Sequence, residues 1–163
     1  MIRQRLGKDL LFFDGGMGTL LQEKGLAPGE LPETWNLTHS EEIYKIHRQY
    51  IEAGSDIILT NTFGANALKF HDDSCSLEEI IKAAVSHVKK AEREALLQTG
   101  DERKIYTALD VGPTGKLLKP MGDLEFETAY EAFKEVVILG EQAGADLIHI
   151  ETMSDTYELK QLF

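Results

Sequence analysis

An α/β fold with parallel strands is what the sequence predicts, and two observations predict it. Short apolar runs alternate with longer helical patterns in the order β-α-β-α-β-α-β-α. Strands that alternate with helices in this way are joined by right-handed crossovers into a parallel sheet. The second observation is an internal repeat. Ala53-Gly54-Ser55-Asp56-Ile57-Ile58 aligns with Ala143-Gly144-Ala145-Asp146-Leu147-Ile148, and without gaps Asn61-Thr62 then falls on Glu151-Thr152, an offset of 90 residues. That offset holds two βα units. Equivalent units recurring along a chain suit a barrel of βα modules better than a doubly wound sheet with one special crossover. Ala-Gly-x-Asp before an apolar run is also a common junction from helix stop to strand, so the repeat keeps a purely local reading beside the architectural one.

The elements follow in order. Leu10–Phe13 reads as a strand stopped by Asp14-Gly15-Gly16. From Ser40 to Ala53 the residues Ile43, Ile46, His47, Tyr50 and Ile51 recur at helical spacing, with Ser40 as N-cap and Gly54 as stop. Asp56–Thr60 is an apolar, partly β-branched run of the kind buried on both faces of a parallel sheet. Leu77–Leu97 carries the stripe Ile80, Ile81, Ala84, Val88 and Ala91 of a long helix, capped by Ser76 and closed by Gly100. Ile105–Val111 is the third strand, Phe126–Gly144 the third helix and Asp146–Ile150 the fourth strand. A fourth helix begins near Asp155.

Composition bounds the function. The 163 residues include 17 basic and 28 acidic side chains, for a net charge of −11, with 42% hydrophobic residues, four Pro and one Cys. These are ordinary proportions for a globular chain, and the length suits one domain with a sizeable core. The acidic balance repels phosphate backbones, which argues against a nucleic-acid partner. No apolar run approaches the ~18 residues of a membrane span. The basic residues Arg3, Arg5 and Lys8 precede only the short apolar stretch Leu10–Phe13, too short for a signal peptide. The expected location is the cytoplasm.

The polar residues that follow the strands carry the chemistry. Asp14, Asn61, Asp110 and Glu151 each stand just past a predicted strand. In a βα barrel these strand ends share one rim, where active sites are built. Three carboxylates and an amide there make an acidic pocket for a cation, either a substrate ammonium or an oxygen-ligated metal. The local alternative is that Asp and Asn end strands by capping the next loop or helix. Gly15-Gly16-Met17-Gly18-Thr19 follows the first strand and can turn backbone N–H groups toward an anion such as a carboxylate. It lacks the Lys of a phosphate-binding P-loop and the G-x-G-x-x-G dinucleotide pattern. Gly112-Pro113-Thr114-Gly115 reads as a tight turn.

The remaining candidates have plain readings. His39, His47, His71 and His87 show no metal-ligand spacing. His149 alternates with Leu147 and Glu151 and reads as an interior histidine on the site's side. Trp35 and Met17 either line a pocket or pack, and Cys75 is an incidental thiol in a polar segment. One cysteine builds neither an internal disulfide nor a thiolate metal site.

Five ordered motifs carry a resemblance. They are Phe13-Asp14-Gly15-Gly16-Met17-Gly18-Thr19, Trp35-Asn36-Leu37, the run from His47 through Asp56 into Thr60-Asn61-Thr62-Phe63-Gly64-Ala65-Asn66, Asp110–Gly115, and Glu151-Thr152-x-Ser154-Asp155. Together they resemble the homocysteine S-methyltransferase domain over nearly the whole chain, most closely the homocysteine-binding module of its cobalamin-dependent, methionine-forming members. The resemblance implies a (β/α)8 TIM barrel whose rim binds homocysteine. By that implication Asp14 and Glu151 hold the amino group, the Gly15–Thr19 backbone meets the carboxylate, and Asn61 and Asp110 stand at the same pocket. It also implies a zinc ion held by three cysteines, which turns a thiol of unperturbed pKa about 8.5 into a thiolate nucleophile at neutral pH. In the cobalamin enzymes the methyl group comes from methylcobalamin, formed from methyltetrahydrofolate on other modules.

The sequence departs from that pattern in its cysteines. The family's zinc ligands belong to later strands, and the four strand-end residues here are 41 to 49 residues apart, so eight such units would exceed the ~250 residues of a typical barrel. The expectation is therefore that residues 1–163 are the first four βα units of one barrel domain, a half-barrel. It would carry the amino-acid-binding half of the site, with no zinc or cobalamin bound to it and no activity alone. Its exposed sheet edges predict a homo-oligomer. Within the family, a sulfonium or betaine-type methyl donor is the alternative to cobalamin. A non-catalytic binding or assembly module, or a barrel-derived enzyme with an oxygen-ligated metal, are the readings outside it.

Overall fold

The computed structural model describes residues 2–70, 74–100 and 102–162; His71, named above, lies outside them. Three strands, β1 (Ile57–Leu59), β2 (Tyr106–Val111) and β3 (Leu147–Ile150), form one parallel sheet in the order β1-β2-β3. Ile57 pairs with Tyr106 and Leu59 with Ala108, while Ala108 pairs with Leu147 and Val111 with Ile150. Long helices connect and cover the sheet: α3 (Ser40–Glu52), α4 (Leu77–Thr99) and α5 (Phe126–Ala143). Three short α-helices accompany them, α1 (Met17–Glu23), α2 (Trp35–Thr38) and α6 (Thr156–Leu159).

The helix ends follow from local chemistry. Ser76 accepts the backbone N–H of Glu79 at 3.2 Å, and the Glu79 carboxylate accepts the N–H of Ser76 at 2.8 Å, so two otherwise unsatisfied donors are paired at the start of α4. Gly100 and Gly144 close α4 and α5 in the left-handed conformation, at φ +68° and +95°. α3 starts at Ser40 itself, one residue earlier than a Ser40 cap requires, with His39 in the cap position and stacked on Trp35.

The repeated Ala-Gly-x-Asp segments play one structural role twice. The Asp56 carboxylate accepts the N–H of Phe12 at 3.1 Å while the Asp56 N–H donates to the Phe12 carbonyl at 2.8 Å. Likewise, the Asp146 carboxylate accepts the N–H of Thr107 at 2.9 Å and its N–H donates to the Thr107 carbonyl at 2.8 Å. Each Asp pins the start of its strand to the neighbouring segment, so the repeat is architectural.

The first expected strand, Leu10–Phe13, is an extended segment making a single parallel bridge, Phe13 to Ile57. Its ladder does not propagate because the Phe12 carbonyl is shared by the N–H groups of Asp56 and Ile57, and the Phe12 N–H is taken by the Asp56 side chain. The Gly15–Thr19 segment also differs from a simple loop. Gly15 and Gly16 remain outside helix, but Met17, Gly18 and Thr19 form the first turn of α1. Fully buried Leu21 anchors this helix against Trp35, Ile43 and Ile46, and that packing overrides the low helix propensity of Gly18.

Alternation along the strands sorts side chains to two faces. On the helix side, Leu109 and Val111 pack with Ile80, Ile81, Phe133 and Val136, while Ile58 and Ile105 pack with Val88 and Ala91. At Gly140 a Cβ would stand 2.4 Å from a Leu109 methyl, so the absent side chain lets α5 approach β2 closely. On the other side Ile57, Tyr106 and Ala108 are covered by Ile2, Leu11, Leu59 and Leu147. The rim residues Asp110 and Glu151 continue this second face beyond Ala108 and Leu147.

Candidate functional site

A cavity of about 490 Å³ opens at the carboxyl ends of the strands, and Asp14, Asn61, Asp110 and Glu151 all line it. Gly15, Gly16, Met17 and Gly18 form one wall. Thr19, one residue further into α1, is outside the lining. The chain is led past this wall tightly: a Cβ on Gly15 would lie 2.7 Å from the Tyr50 hydroxyl, which itself donates to the Gly16 carbonyl at 3.2 Å.

The carboxyl groups are poorly served with donors. One Asp14 oxygen accepts the Leu59 N–H at 3.1 Å, whereas Oδ1 is buried with no hydrogen-bond partner. Asp110 is 6% exposed, and its Oδ1 is also buried without a partner. Burial accordingly pushes Asp14 up to about 7, against the backbone N–H bonds that oppose it and with a further push from Glu151. Burial, then the charges of Glu151 and Asp14, push Asp110 up to about 8. Two desolvated carboxyls and Glu151 together make a pocket short of positive charge.

Asn61 is fixed from behind. Its amide donates to the Pro32 carbonyl at 2.7 Å and to the Asn36 side-chain oxygen at 3.2 Å, and the Asn36 amide donates to the Asn61 carbonyl at 2.8 Å. The Asn36 carbonyl meets His87 Nε2 at 2.7 Å, which ties the rim to α4. Asp110 is held through its backbone, whose N–H donates to the Thr60 hydroxyl at 3.1 Å. Thr60 and Thr62 share a hydrogen bond at 2.7 Å, and Thr62 donates to the Asp110 carbonyl at 2.8 Å.

Several lining residues were not singled out from the sequence. Glu33 is buried and accepts the Gly64 N–H at 2.5 Å, so a fourth carboxylate stands at the pocket wall. Gly64 has no room for a side chain there, since a Cβ would lie 2.7 Å from Glu33 Oε1. Thr152 also lines the site and holds a left-handed backbone at φ +58°, uncommon outside glycine. Nothing local in the stretch Leu31-Pro32-Glu33-Thr34 marks its Glu as buried; the partner that buries it is 31 residues away.

The other candidates separate cleanly. Trp35 packs in the α1–α3 core with its indole N–H on Glu30 at 2.7 Å, and Met17 lines the cavity. His47 is fully buried and pushed down to about 3 by that burial, so it stays neutral. His149 is partly exposed on the edge strand β3, its ring 5.0 Å from that of Phe13, and not the satisfied interior histidine expected. Cys75 packs against the Phe133 cluster and is absent from the cavity lining. A three-cysteine zinc site therefore does not fit the residues of this chain, which holds one cysteine. Asp110, His149 and Glu151 do bring three donor atoms within 4.8 Å of one another.

The family described as Homocysteine S-methyltransferase matches positions 11–163. The chain is 31% identical to the methionine synthase of Mycobacterium leprae over 163 positions, covering 96% of this chain and 13% of that protein. The metallated form of the homocysteine methyltransferase MmuM from Escherichia coli superposes with a TM-score of 0.83 at 23% identity, over 99% of this chain and 60% of that one. Its apo form gives 0.75 at 24% identity, over 96% and 54%. The chain thus spans less than two thirds of each of these relatives, and its fold is a partial TIM barrel with parallel strands.

Proposed function

Because the chain belongs to the homocysteine S-methyltransferase family, we propose that its rim cavity receives the amino-acid end of homocysteine, within a barrel that methylates the sulfur to give methionine. The observation that carries this reading is the convergence of Asp14, Asp110 and Glu151 on one cavity, where one oxygen each of Asp14 and Asp110 is buried without a donor. A substrate ammonium supplies the missing charge and N–H donors, and each such bond to a carboxylate is a charge-assisted one. Asp14 and Glu151 bind the ammonium, Asp110 adds negative charge beside it, and Asn61 is held in place by Asn36. The backbone from Gly15 to Gly18 faces the substrate carboxylate.

In this reading residues 1–163 are the amino-terminal portion of a barrel in a longer protein. The thiol-activating zinc and its cysteines come from outside the chain, and so do the modules for cobalamin and methyltetrahydrofolate. No methyl-transfer step is assigned to the residues present, and the chain alone forms no methionine. Methylcobalamin is the preferred donor because of the similarity to a methionine synthase. The likeness to MmuM, a homocysteine methyltransferase of another kind of chain, keeps a sulfonium or betaine-type donor as the second reading. A cytoplasmic location belongs to the same proposal; among the described residues no helix is long and apolar enough to cross a membrane. Exposed Leu10, Phe12, Phe13 and Ile148 favour self-association, and sedimentation showing a monomer at high concentration would refute it.

The test is a titration of the labelled chain with L-homocysteine and L-methionine followed by NMR. Weak, millimolar binding is expected, with shifts at Asp14–Gly18 and Glu151, lost in Asp14→Asn and Glu151→Gln. Shifts that survive both substitutions, or no saturable shift at all, overturn the assignment.

A further inference from the structure

The rim holds a second arrangement, which shares Asp110 and Glu151 with the ammonium reading and adds His149. We propose that Asp110, His149 and Glu151 form a site for one divalent cation of the manganese, cobalt or zinc type, distinct in its ligands from the three-cysteine site that the resemblance implies. It goes beyond the amino-acid reading and draws on a residue, His149, that the reading leaves without a task.

Three features support it. An imidazole nitrogen and two carboxylate oxygens lie within 4.8 Å of one another, and a mixed nitrogen and oxygen donor set suits first-row divalent ions better than magnesium or calcium. Asp110 is more than nine-tenths buried, lines the cavity and has an oxygen with no hydrogen-bond partner. A buried acceptor left without a donor is a costly arrangement that a cation relieves. The backbone also fixes the spacing. His149 and Glu151 are two apart on one face of the edge strand, and Asp110 is paired with His149 in the register of β2 and β3.

The ligands are close but not yet closed. His149 Nε2 stands 3.9 Å from Glu151 Oε2, whereas donors around one ion at its usual bond lengths sit about 3.4 Å apart. Contraction by about half an ångström brings this pair to that spacing, and the distances to Asp110, within 4.8 Å, close by up to about 1.4 Å as side chains that are 30% and 38% exposed rotate. Asp110 is the fixed point toward which the two mobile ligands turn. Three protein ligands leave open positions, as in sites that bind water or a further ligand.

The experiment uses the whole chain after treatment with a chelator. Titration with manganese chloride followed by electron paramagnetic resonance is expected to give one saturable ion per chain. His149→Ala should weaken it at least tenfold, since a three-ligand site loses one ligand. His149→Gln serves as a second variant that preserves size on the strand. In the unaltered chain, manganese should broaden the NMR signals of Leu109–Val111 and His149–Glu151 before any others, a localisation independent of mutation. Absence of saturable binding overturns the proposal, as does binding that both His149 variants leave unchanged or broadening centred elsewhere. Methionine titration of His149→Ala separates the two readings. Retained methionine binding with lost manganese binding is the expected pair, and lost methionine binding with retained manganese binding refutes the assignment of His149 while leaving the carboxylates of the amino-acid site in question.

Discussion

On the helix side of β2, Leu109 and Val111 meet Ile80, Ile81, Phe133 and Val136 in a cluster almost free of solvent. On the other side of the same strand, Asp110 is equally buried but has an oxygen with no donor. One strand therefore serves two purposes, and burial has opposite consequences on its two faces. Apolar burial is the main favourable contribution to folding, whereas a desolvated carboxyl opposes it. The helix layer supplies the stability that lets the rim keep unsatisfied groups facing a cavity.

The sharpest way to break this comparison is to truncate one residue on each face. Phe133→Ala in the helix layer should lower unfolding free energy by about 3–5 kcal/mol, the usual cost of removing a fully buried phenylalanine. Asp110→Asn near pH 8 should do the reverse, raising stability by about 1 kcal/mol as an ionisable group leaves a buried position. Urea denaturation of both variants measures the difference. Equal losses from the two would show that Asp110 is structural and that the faces do not differ as described.

Acidity sharpens the same contrast through two titrating regions of opposite sign. Asp14 and Asp110 are raised to about 7 and 8. A carboxyl raised in the fold contributes stability fully below its unfolded value, near 3.8, and that contribution is lost as pH rises through 7 and 8. His47, between α3 and α4, is lowered to about 3 by burial. Its contribution is whole above 6.5 and is lost as pH falls toward 3. Between pH 4 and 6.5 the one histidine offsets part of the decline due to the two carboxyls, and above that range only the carboxyls act. Stability should thus decline from pH 6.5 to 8, by at most about 1.4 kcal/mol per pH unit for each group. Asp110→Asn should flatten the decline, and a His47→Leu substitution should leave it intact while removing the loss at acid pH. Thermal unfolding across pH 4–8 reads both slopes.

The two regions were also unequally legible in the sequence. The helix layer is written in short-range signals: Ser76 and Glu79 at three residues' spacing, Gly100 and Gly144 at helix ends, and an apolar stripe from Ile80 to Ala91. The strand-end rule placed Asp14, Asn61, Asp110 and Glu151 on one cavity because it depends only on where strands stop. What escaped depends on partners distant in sequence. Glu33 is buried by Gly64, α1 is held by Leu21 against α3, and Leu10–Phe13 fails to extend as a strand because of hydrogen bonds made by Asp56. The missing donors at Asp14 and Asp110 are likewise invisible until the surrounding segments are in place.

The smallest expected effect tests whether the two faces are independent. Ser76→Ala removes a hydroxyl that accepts the Glu79 N–H, and with it half of the reciprocal cap on α4. Loss of such a cap costs about 1 kcal/mol. The Glu79 carboxylate still accepts the Ser76 backbone N–H, so the helix start should fray and not dissolve. Ser76 does not line the rim cavity. Sites with no shared partners add to within about 0.5 kcal/mol, so the double variant Ser76→Ala with Asp110→Asn should equal the sum of its parts in urea denaturation. A larger coupling would mean that the start of α4 helps set the burial of Asp110, and the division between a stabilising layer and a carboxylate rim would then have to be redrawn along α4.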